Sequence, residues 1–384
     1  VKIVVAMGRP AHYRLAANSL TRRGHDVTLY TAVPGFRLRG FDAGIGTRFI
    51  PAPMILLSGV THLGMPQSLN ELDCVLFDEW CALGLGDCEF LLGAASSSAI
   101  SGKRQKRRGG IYVVDRACPD IRVQQQWMVE EARKAGGRFR KNSEWFIERQ
   151  VEEYELADAI LVPSQFSAMT FPEHLQKKVV VAPLYGRAEV RPPVAKAARA
   201  KFVVGVVGGH PLRKGYLYLL QAWKELALPN AELRLRADSE IFEFPVLAKL
   251  VADQPSVSVV GYMPDISEFY AECDAFVLPS IDDGFGMALF EALANGVPSV
   301  ATRNCGASEL LMEERDFLLV DAFSVEQMKE AILRLYESPE LRERLSASGP
   351  AAVAALQEGD VAVAFETGMD RLLAAVGKRL QVPA

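Results

Sequence analysis

The chain has 384 residues, 49% of them apolar, and a formal net charge of −4. That length suits two or three domains, and the apolar share is ample for sizeable cores. Its apolar runs stay short of the roughly 18 residues that a spanning helix needs, so no membrane span is expected.

Six cysteines, Cys74, Cys81, Cys88, Cys118, Cys273 and Cys305, form no CxxC pair. Metal and redox chemistry are therefore not expected, and a reducing cytoplasm fits. The spacing of seven among the first three reads as chance. The chain opens on a strand-like VKIVVAM instead of a basic leader with an apolar stretch, which also points to the cytoplasm. Charge is uneven, +4 over 1–183 and −8 over 184–384, so the two halves are expected to face different partners.

In chain order, Lys2–Met7 reads as a buried strand and Gly8-Arg9-Pro10 as a turn. His12 to Arg23 is a helix stopped by Gly24, and Asp26–Thr31 is the next strand. Such strand–helix–strand units build parallel sheets. Residues 32–70 read as loops and short elements. Leu72–Phe77 is expected as a strand and Gly84–Ala99 as a helix. Lys103 to Arg108 carries five cations in six residues. It reads as a solvated loop, or as an attractor for an anionic acceptor or lipid surface, each charge contributing about 1 kcal/mol near a membrane. Nucleic acid is not expected, because no interleaved aromatics or binding motif accompany it.

Ile111–Asp115 is a strand. An acidic-faced helix then leads into strand Ala159–Val162, and Lys178–Ala182 closes the first half. Residues 184–200, with Arg-Pro-Pro and AKAARA, read as a linker.

The pattern restarts after it. Phe202–Val207 is a strand, 208–215 a Gly-rich loop and Tyr216–Leu226 a helix. Strands follow at Glu232–Arg236, Val257–Val260 and Ala275–Leu278, with a helix over Ile266–Cys273 before the last. Two cations, Arg213 and Lys214, stand between a Gly-Gly turn and a helix. They would neutralise a diphosphate, Arg bidentately and Lys as a point charge, or they are an ordinary polar loop. Then comes IDDGFGMALFEALANGVPSVATRN. Gly284 and Gly286 permit a tight turn, and Met287–Ala294 consists mainly of strong helix formers. A glycine turn entering a helix offers free N–H groups to phosphate. Asp283 before the helix and Glu291 within it would frame that turn. Asp282-Asp283 read alone is also compatible with a metal-binding acid pair, but the chain supplies cations of its own and its five His show no ligand spacing. The tail from Ser324 reads as helical, with a last helix over Val361–Leu380.

Acid-x7-Glu enclosing GFG and followed by EALANGVPSVAT resembles the signature of family 4 glycosyltransferases. RRGHDVTLYT after the first helix, DRACPDIRVQQQWMVEE, EYELADAILVPS and HPLRKGYLYLLQAWKEL resemble further segments of that family. The resemblance covers nearly the whole chain, most strongly 202–302 and least 32–110. It implies the GT-B fold: two Rossmann-like doubly wound α/β domains facing a cleft. Residues 1–183 would form the acceptor domain and 201–360 the donor domain, with 361–384 crossing back onto the first.

By the same resemblance, catalytic roles fall to Asp120, Asp283, Arg213 and Lys214. Donor contacts fall to Gly8, Gly209, Arg213, Lys214, Gly261, Tyr262, Asp283, Gly284, Phe285, Gly286, Met287 and Glu291, the last receiving ribose hydroxyls. Three positions depart from the family pattern. Asp120 stands where a His is usual, Gly209 where an Arg is usual, and Asp283 where Glu is usual. As a residue, Asp120 also reads as a helix N-terminal acid after Pro119. The implied activity is retaining transfer of a sugar from a nucleotide diphosphate sugar, with no metal or other cofactor, to a carbohydrate, lipid-linked or small-molecule acceptor. The alternatives are an epimerase or hydrolase on the same fold and a non-catalytic nucleotide-sugar binding protein. A dinucleotide oxidoreductase fits poorly, because only Gly8 follows the first strand where Gly-x-Gly-x-x-Gly would be needed.

Overall fold

The computed structural model describes residues 1–8, 13–33, 38, 40–50, 67–183, 190, 201–261, 263–356 and 361–377. Most of the expected linker, the turn residues Arg9 and Pro10, and Tyr262 lie outside them.

The first half forms β1 (Lys2–Met7), α1 (Tyr13–Arg22), β2 (Asp26–Thr31), β3 (Gly46–Phe49), α2 (Gln67–Gly84), β4 (Phe90–Ala94), α3 (Ala99–Arg107), β5 (Ile111–Asp115), α4 (Ile121–Lys134), α5 (Glu144–Leu156), β6 (Ala159–Val162), α6 (Gln165–Met169), α7 (Glu173–Gln176) and β7 (Val179–Val181). The second forms β8 (Phe202–Val207), α8 (Tyr216–Leu226), β9 (Ala231–Arg236), α9 (Pro245–Ala252), β10 (Val257–Val260), α10 (Ile266–Ala271), β11 (Ala275–Leu278), α11 (Met287–Ala294), β12 (Ser299–Thr302), β13 (Leu318–Val320), α12 (Val325–Glu337), α13 (Pro339–Ala355) and α14 (Val361–Gly377).

Two sheets result, ordered β3-β2-β1-β4-β5-β6-β7 and β10-β9-β8-β11-β12-β13. Every strand pairing within them is parallel. The central strands, such as FVVGVV and AFVL, are near-continuous apolar runs because helices cover both sheet faces. In the second sheet Val204, Val206, Leu233 and Leu235 pack toward α8. The opposite face carries Val207, Phe276 and Leu278 against α10 and α11. In each sheet the strand order reverses once, between β1 and β4 and between β8 and β11. Those reversals open crevices at the strands' carboxyl ends.

Three expectations fail in the first half. Residues 72–77 belong to α2, not to a strand: buried Phe77, Asp78, Cys81 and Ala82 recur at three and four residues. The interval between Cys74 and Cys81 is thus two helical turns, so it places them on one face. Residues 84–99 contain β4, not a helix, because Phe90–Leu92 insert between β1 and β5. The basic run lies mostly on α3. The Asp78 carboxylate holds that helix's N-terminus, accepting from Ile100 N at 2.7 Å and Ser101 N at 2.9 Å. Within 32–70, β3 adds a strand beside β2.

The halves are joined by more than chain connection. Met128 and Ala132 of α4 and Ala135 at its C-cap are buried in the core that α8 and β9 build. Glu309 of the second half caps α6 of the first, accepting from Gln165 N at 2.8 Å and Phe166 N at 2.6 Å. Helix α14 returns to the first sheet, burying Phe365, Met369 and Leu372 against Ile3, Val5 and Leu29.

Candidate functional site

The loops after β8 and β11 meet over the second sheet's reversal, and they carry the cations and acids singled out above. The Lys214 ammonium lies 2.5 Å from an Asp283 carboxylate oxygen. Its stem crosses Gly208, where a Cβ would stand 2.6 Å from Lys214 Cε. Burial pushes the Asp283 carboxyl upward, but the charge and hydrogen bond of Lys214, with Arg213 nearby, bring it below its ordinary range.

Arg213 takes the other acid. Its Nε lies 3.1 Å from Asp282 Oδ2, and one Nη donates to the Asp282 carbonyl at 3.3 Å. Burial disfavours its charge, yet Cys118, Asp282 and Asp283 hold the guanidinium above its usual value. The two adjacent acids therefore turn to two different cations and do not converge as a metal pair.

Glu291 sits one turn into α11 and accepts from Tyr270 Oη at 3.0 Å. Burial raises its pKa, against the pull of that hydrogen bond and of the Lys214 and Arg236 charges. Lys214 thus acts on both acids that frame the turn. At the N-cap of α11, Gly286 adopts a φ of 91°, and a Cβ there would lie 2.2 Å from Cys305 Sγ. This left-handed residue lets the chain enter the helix with the Met287 and Ala288 N–H groups free of intrahelical acceptors, while Leu289 N donates to the Gly286 carbonyl at 3.0 Å. Phe285 packs its ring 5.3 Å from Phe290, and Met287 lies against the same core. Their side chains serve packing, while the Phe285 carbonyl accepts from Ala307 N at 2.6 Å and its amide donates to the Asp283 carboxylate.

The remaining donor-site candidates are peripheral to this group. Gly8 closes β1 with open space beside its α-carbon, and Gly261 is exposed just after β10. A Cβ on Gly209 would meet Asp238 Oδ2 at 2.4 Å.

The first half reaches the site directly. A Cβ on Gly284 would lie 2.0 Å from the Ala117 carbonyl oxygen, so backbone meets backbone here. Gln124 of α4 donates to Asp282 Oδ2 and accepts from an Arg116 Nη at 2.7 Å. Arg116, Gln124, Asp282 and Arg213 therefore form one chain of contacts across both halves. Among the described residues the second Asp282 oxygen, Oδ1, is buried with no hydrogen-bond partner. Neither Arg116 nor Gln124 is singled out by the sequence, since a contact 158 positions apart leaves no local pattern.

Asp120 is the exception among the expected catalytic residues. It caps α4, accepting from Arg122 N at 2.8 Å and pairing with the Arg122 guanidinium at 2.5 Å. At 1% exposure its carboxylate is committed to that helix start. The reading as a helix N-terminal acid describes it, and its hydrogen bonds run to Arg122 and Thr170, not to Lys214, Asp283 or Glu291.

Chemically, the site offers two cations, a helix N-terminus and a half-buried carboxyl whose proton affinity burial raises, around one crevice. Among the described residues no three His, Cys, Asp or Glu side chains gather as a metal would require. A cavity of about 820 Å³ lies elsewhere, between α3 and α5, and shares no residue with this group. No described helix is long and apolar enough to cross a membrane.

Residues 201–338, which hold all of these second-half groups, match the family model described as glycosyl transferases group 1. The chain is 34% identical over 180 residues to the lipopolysaccharide core biosynthesis glycosyltransferase LpsD of Rhizobium meliloti, covering 45% of this chain and 52% of LpsD. It is 35% identical over 122 residues to the D-inositol 3-phosphate glycosyltransferase of Pseudarthrobacter chlorophenolicus, 30% of this chain and 29% of that one. The matches thus span about half or less of these relatives. Among solved structures, sucrose-phosphate synthase from Thermosynechococcus elongatus superposes with a TM-score of 0.70 at 19% identity, covering 97% of this chain and 99% of that one. Anabaena HepE in complex with UDP gives 0.65 at 16% identity, covering 97% and 99%. The fold is thus GT-B, two parallel α/β sheets with the site between the halves.

Proposed function

We propose that the protein is a retaining family 4 glycosyltransferase that moves a sugar from a nucleotide diphosphate sugar to a hydroxyl-bearing acceptor. The observation that carries this reading is the convergence of Lys214, Asp283 and Glu291 on the start of α11. In this reading the donor's diphosphate meets Lys214 and the first N–H groups of α11, with Arg213 as the second cation. Glu291 receives the ribose hydroxyls and Asp283 the sugar hydroxyls. As the bond from the anomeric carbon to the phosphate breaks, charge grows on the leaving oxygen. Fixed cations and dipoles placed there each contribute about 10²–10³ in rate. No metal is needed, because Arg213 and Lys214 already supply positive charge beside both acids. The sequence likeness to LpsD and the HepE complex with UDP support the donor class.

The acceptor then approaches from the first half, through Ala117, Gln124 and the carboxyl ends of β1 and β4. The acceptor is a carbohydrate, a lipid-linked glycan or a small molecule, and the protein works in the cytoplasm. Arg104, Arg107 and Arg108 are exposed on and just after the C-terminal end of α3, whereas Lys103 and Lys106 pair with Glu152 and Asp158. Those exposed arginines suit peripheral contact with an anionic membrane.

The test is a panel of UDP-, GDP- and ADP-sugars offered with cell extract, followed by mass analysis. Transfer products that vanish with Lys214→Ala support the reading. Donor binding without product would favour the non-catalytic alternative, and donor turnover without any acceptor the epimerase or hydrolase.

A further inference from the structure

The geometry points to Arg236 as a further phosphate-binding residue of the nucleotide site, an inference that rests on the donor reading above. Arg236 is the last residue of β9, in register with Val207 of β8 and Val260 of β10. Val207 is followed by Gly208, which precedes the expected donor residue Gly209, and Val260 is followed by Gly261, itself an expected donor residue. The Gly208 amide donates to the Arg236 carbonyl at 3.1 Å. Arg236 thus stands at the sheet's carboxyl edge, between two strand ends that open onto the site.

Alternation fixes the face its side chain takes. Leu233 and Leu235 point into the core with α8, so Glu232, Arg234 and Arg236 share the opposite face. That is the face covered by α10 and α11, from which Tyr270 and Glu291 come. The field agrees: the Arg236 charge lowers the proton affinity of Glu291 and Tyr270, both from that face.

The neighbouring glycine explains why a cation is wanted from this strand. Asp238 Oδ2 occupies the space where a side chain on Gly209 would begin. Position 209, a glycine, supplies no guanidinium, and Asp238 itself would repel a diphosphate. Arg236, two residues earlier, offsets that charge and presents a planar fork matched to phosphate oxygens. Lys214 approaches from the loop after β8 and Arg236 from the end of β9, so the two would hold a diphosphate from separate strands.

The test is a double-mutant cycle read by titration calorimetry, extended to millimolar ligand by NMR, with UDP, GDP and ADP as probes. Arg236→Gln should weaken the best-bound nucleotide about tenfold or more. It should do so by the same factor in wild type and in Glu291→Ala, because a direct phosphate contact does not depend on the carboxylate. Arg236→Lys should recover part of the loss. Unchanged affinity in a folded Arg236→Gln protein overturns the inference. So does a loss that disappears in Glu291→Ala, since Arg236 would then act only by positioning Glu291. Should Arg236→Gln fail to fold, Arg236→Lys is compared with wild type, and equal affinity overturns the inference. If wild type binds none of the three nucleotides, the donor reading fails first and this inference falls with it. If wild type binds and Lys214→Ala does not, the donor reading stands whatever Arg236 does.

Discussion

The Lys214 ammonium and the Asp283 carboxylate, 2.5 Å apart, tie the loop after β8 to the loop after β11 at the point where strand order reverses. Both side chains are less than one-fifth exposed, so removing the cation leaves a carboxylate in a poorly hydrated place. Lys214→Ala should cost about 2 kcal/mol of stability, below the range for fully buried pairs. Adding Asp283→Asn should recover most of it. Denaturant unfolding of the single and double variants checks this, and equal stability of Lys214→Ala and wild type would contradict the pairing.

The approach of Gly284 to Ala117 sets how closely the two halves meet. Gly284→Ala would place a methyl group 2.0 Å from the Ala117 carbonyl oxygen, a separation that backbone cannot absorb without moving. The halves should then sit farther apart, with each sheet intact. Small-angle scattering should report a larger radius of gyration and transfer should fall at least tenfold, while nucleotide affinity changes little. An unaltered rate would mean that this contact is not kept during turnover.

Gln124 bridges Arg116 and Asp282 across the halves. Replacing it by Leu leaves Asp282, already short of one partner at Oδ1, with Arg213 alone. Buried groups deprived of a hydrogen bond lose about 1–3 kcal/mol. Gln126, two residues along the same helix and exposed, should tolerate Leu within about 0.5 kcal/mol. Comparing the two variants by thermal melting isolates the bridge from helix propensity.

A pH dependence follows from Glu153 of α5. Its oxygens accept from Ser96 N at 2.6 Å and Ser98 N at 2.9 Å. Burial nevertheless raises its pKa to about 8, with Asp78 adding to the rise and Arg149 opposing it. A group whose pKa is higher folded than unfolded binds its proton more tightly in the fold. Its contribution is therefore full below about pH 4.5. It is lost as pH rises from there toward 8. Glu153→Gln removes this titration, so the stability gap between wild type and variant should narrow across that window. A gap that stays constant or widens with pH would place the Glu153 pKa at or below its ordinary value.

Much of the second half was legible because its strands are short apolar runs between glycine turns, and its helices carry clear stops. The four residues Arg213, Lys214, Asp283 and Glu291 were also legible, since each lies within ten positions of a glycine turn that folds locally. The first half was harder. In LDCVLF six residues satisfy a strand and a helix alike, and only the burial of Phe77, Asp78 and Cys81 decides between them. Asp120 could be aligned with a functional position, but its own chemistry after Pro119 is that of a cap. The Arg116–Gln124–Asp282–Arg213 chain had no local signal, because it exists only once the halves dock. Arg236 had one, the alternation of ELRLR, but alternation assigns a face and cannot say what covers it.

A cationic pocket framed by two acids, as proposed above, holds a nucleotide diphosphate sugar. This central claim is tested most directly by thermal unfolding of wild type, Lys214→Ala and Glu291→Ala with UDP-, GDP- and ADP-sugars. The account predicts that one donor class raises the wild-type midpoint by several degrees, as expected when ligand stands about 100-fold above its Kd. In each variant the same donor concentration should give a much smaller shift, because binding is weakened. A midpoint shift that persists undiminished in both variants would contradict the claim, as would a wild type that no donor stabilises.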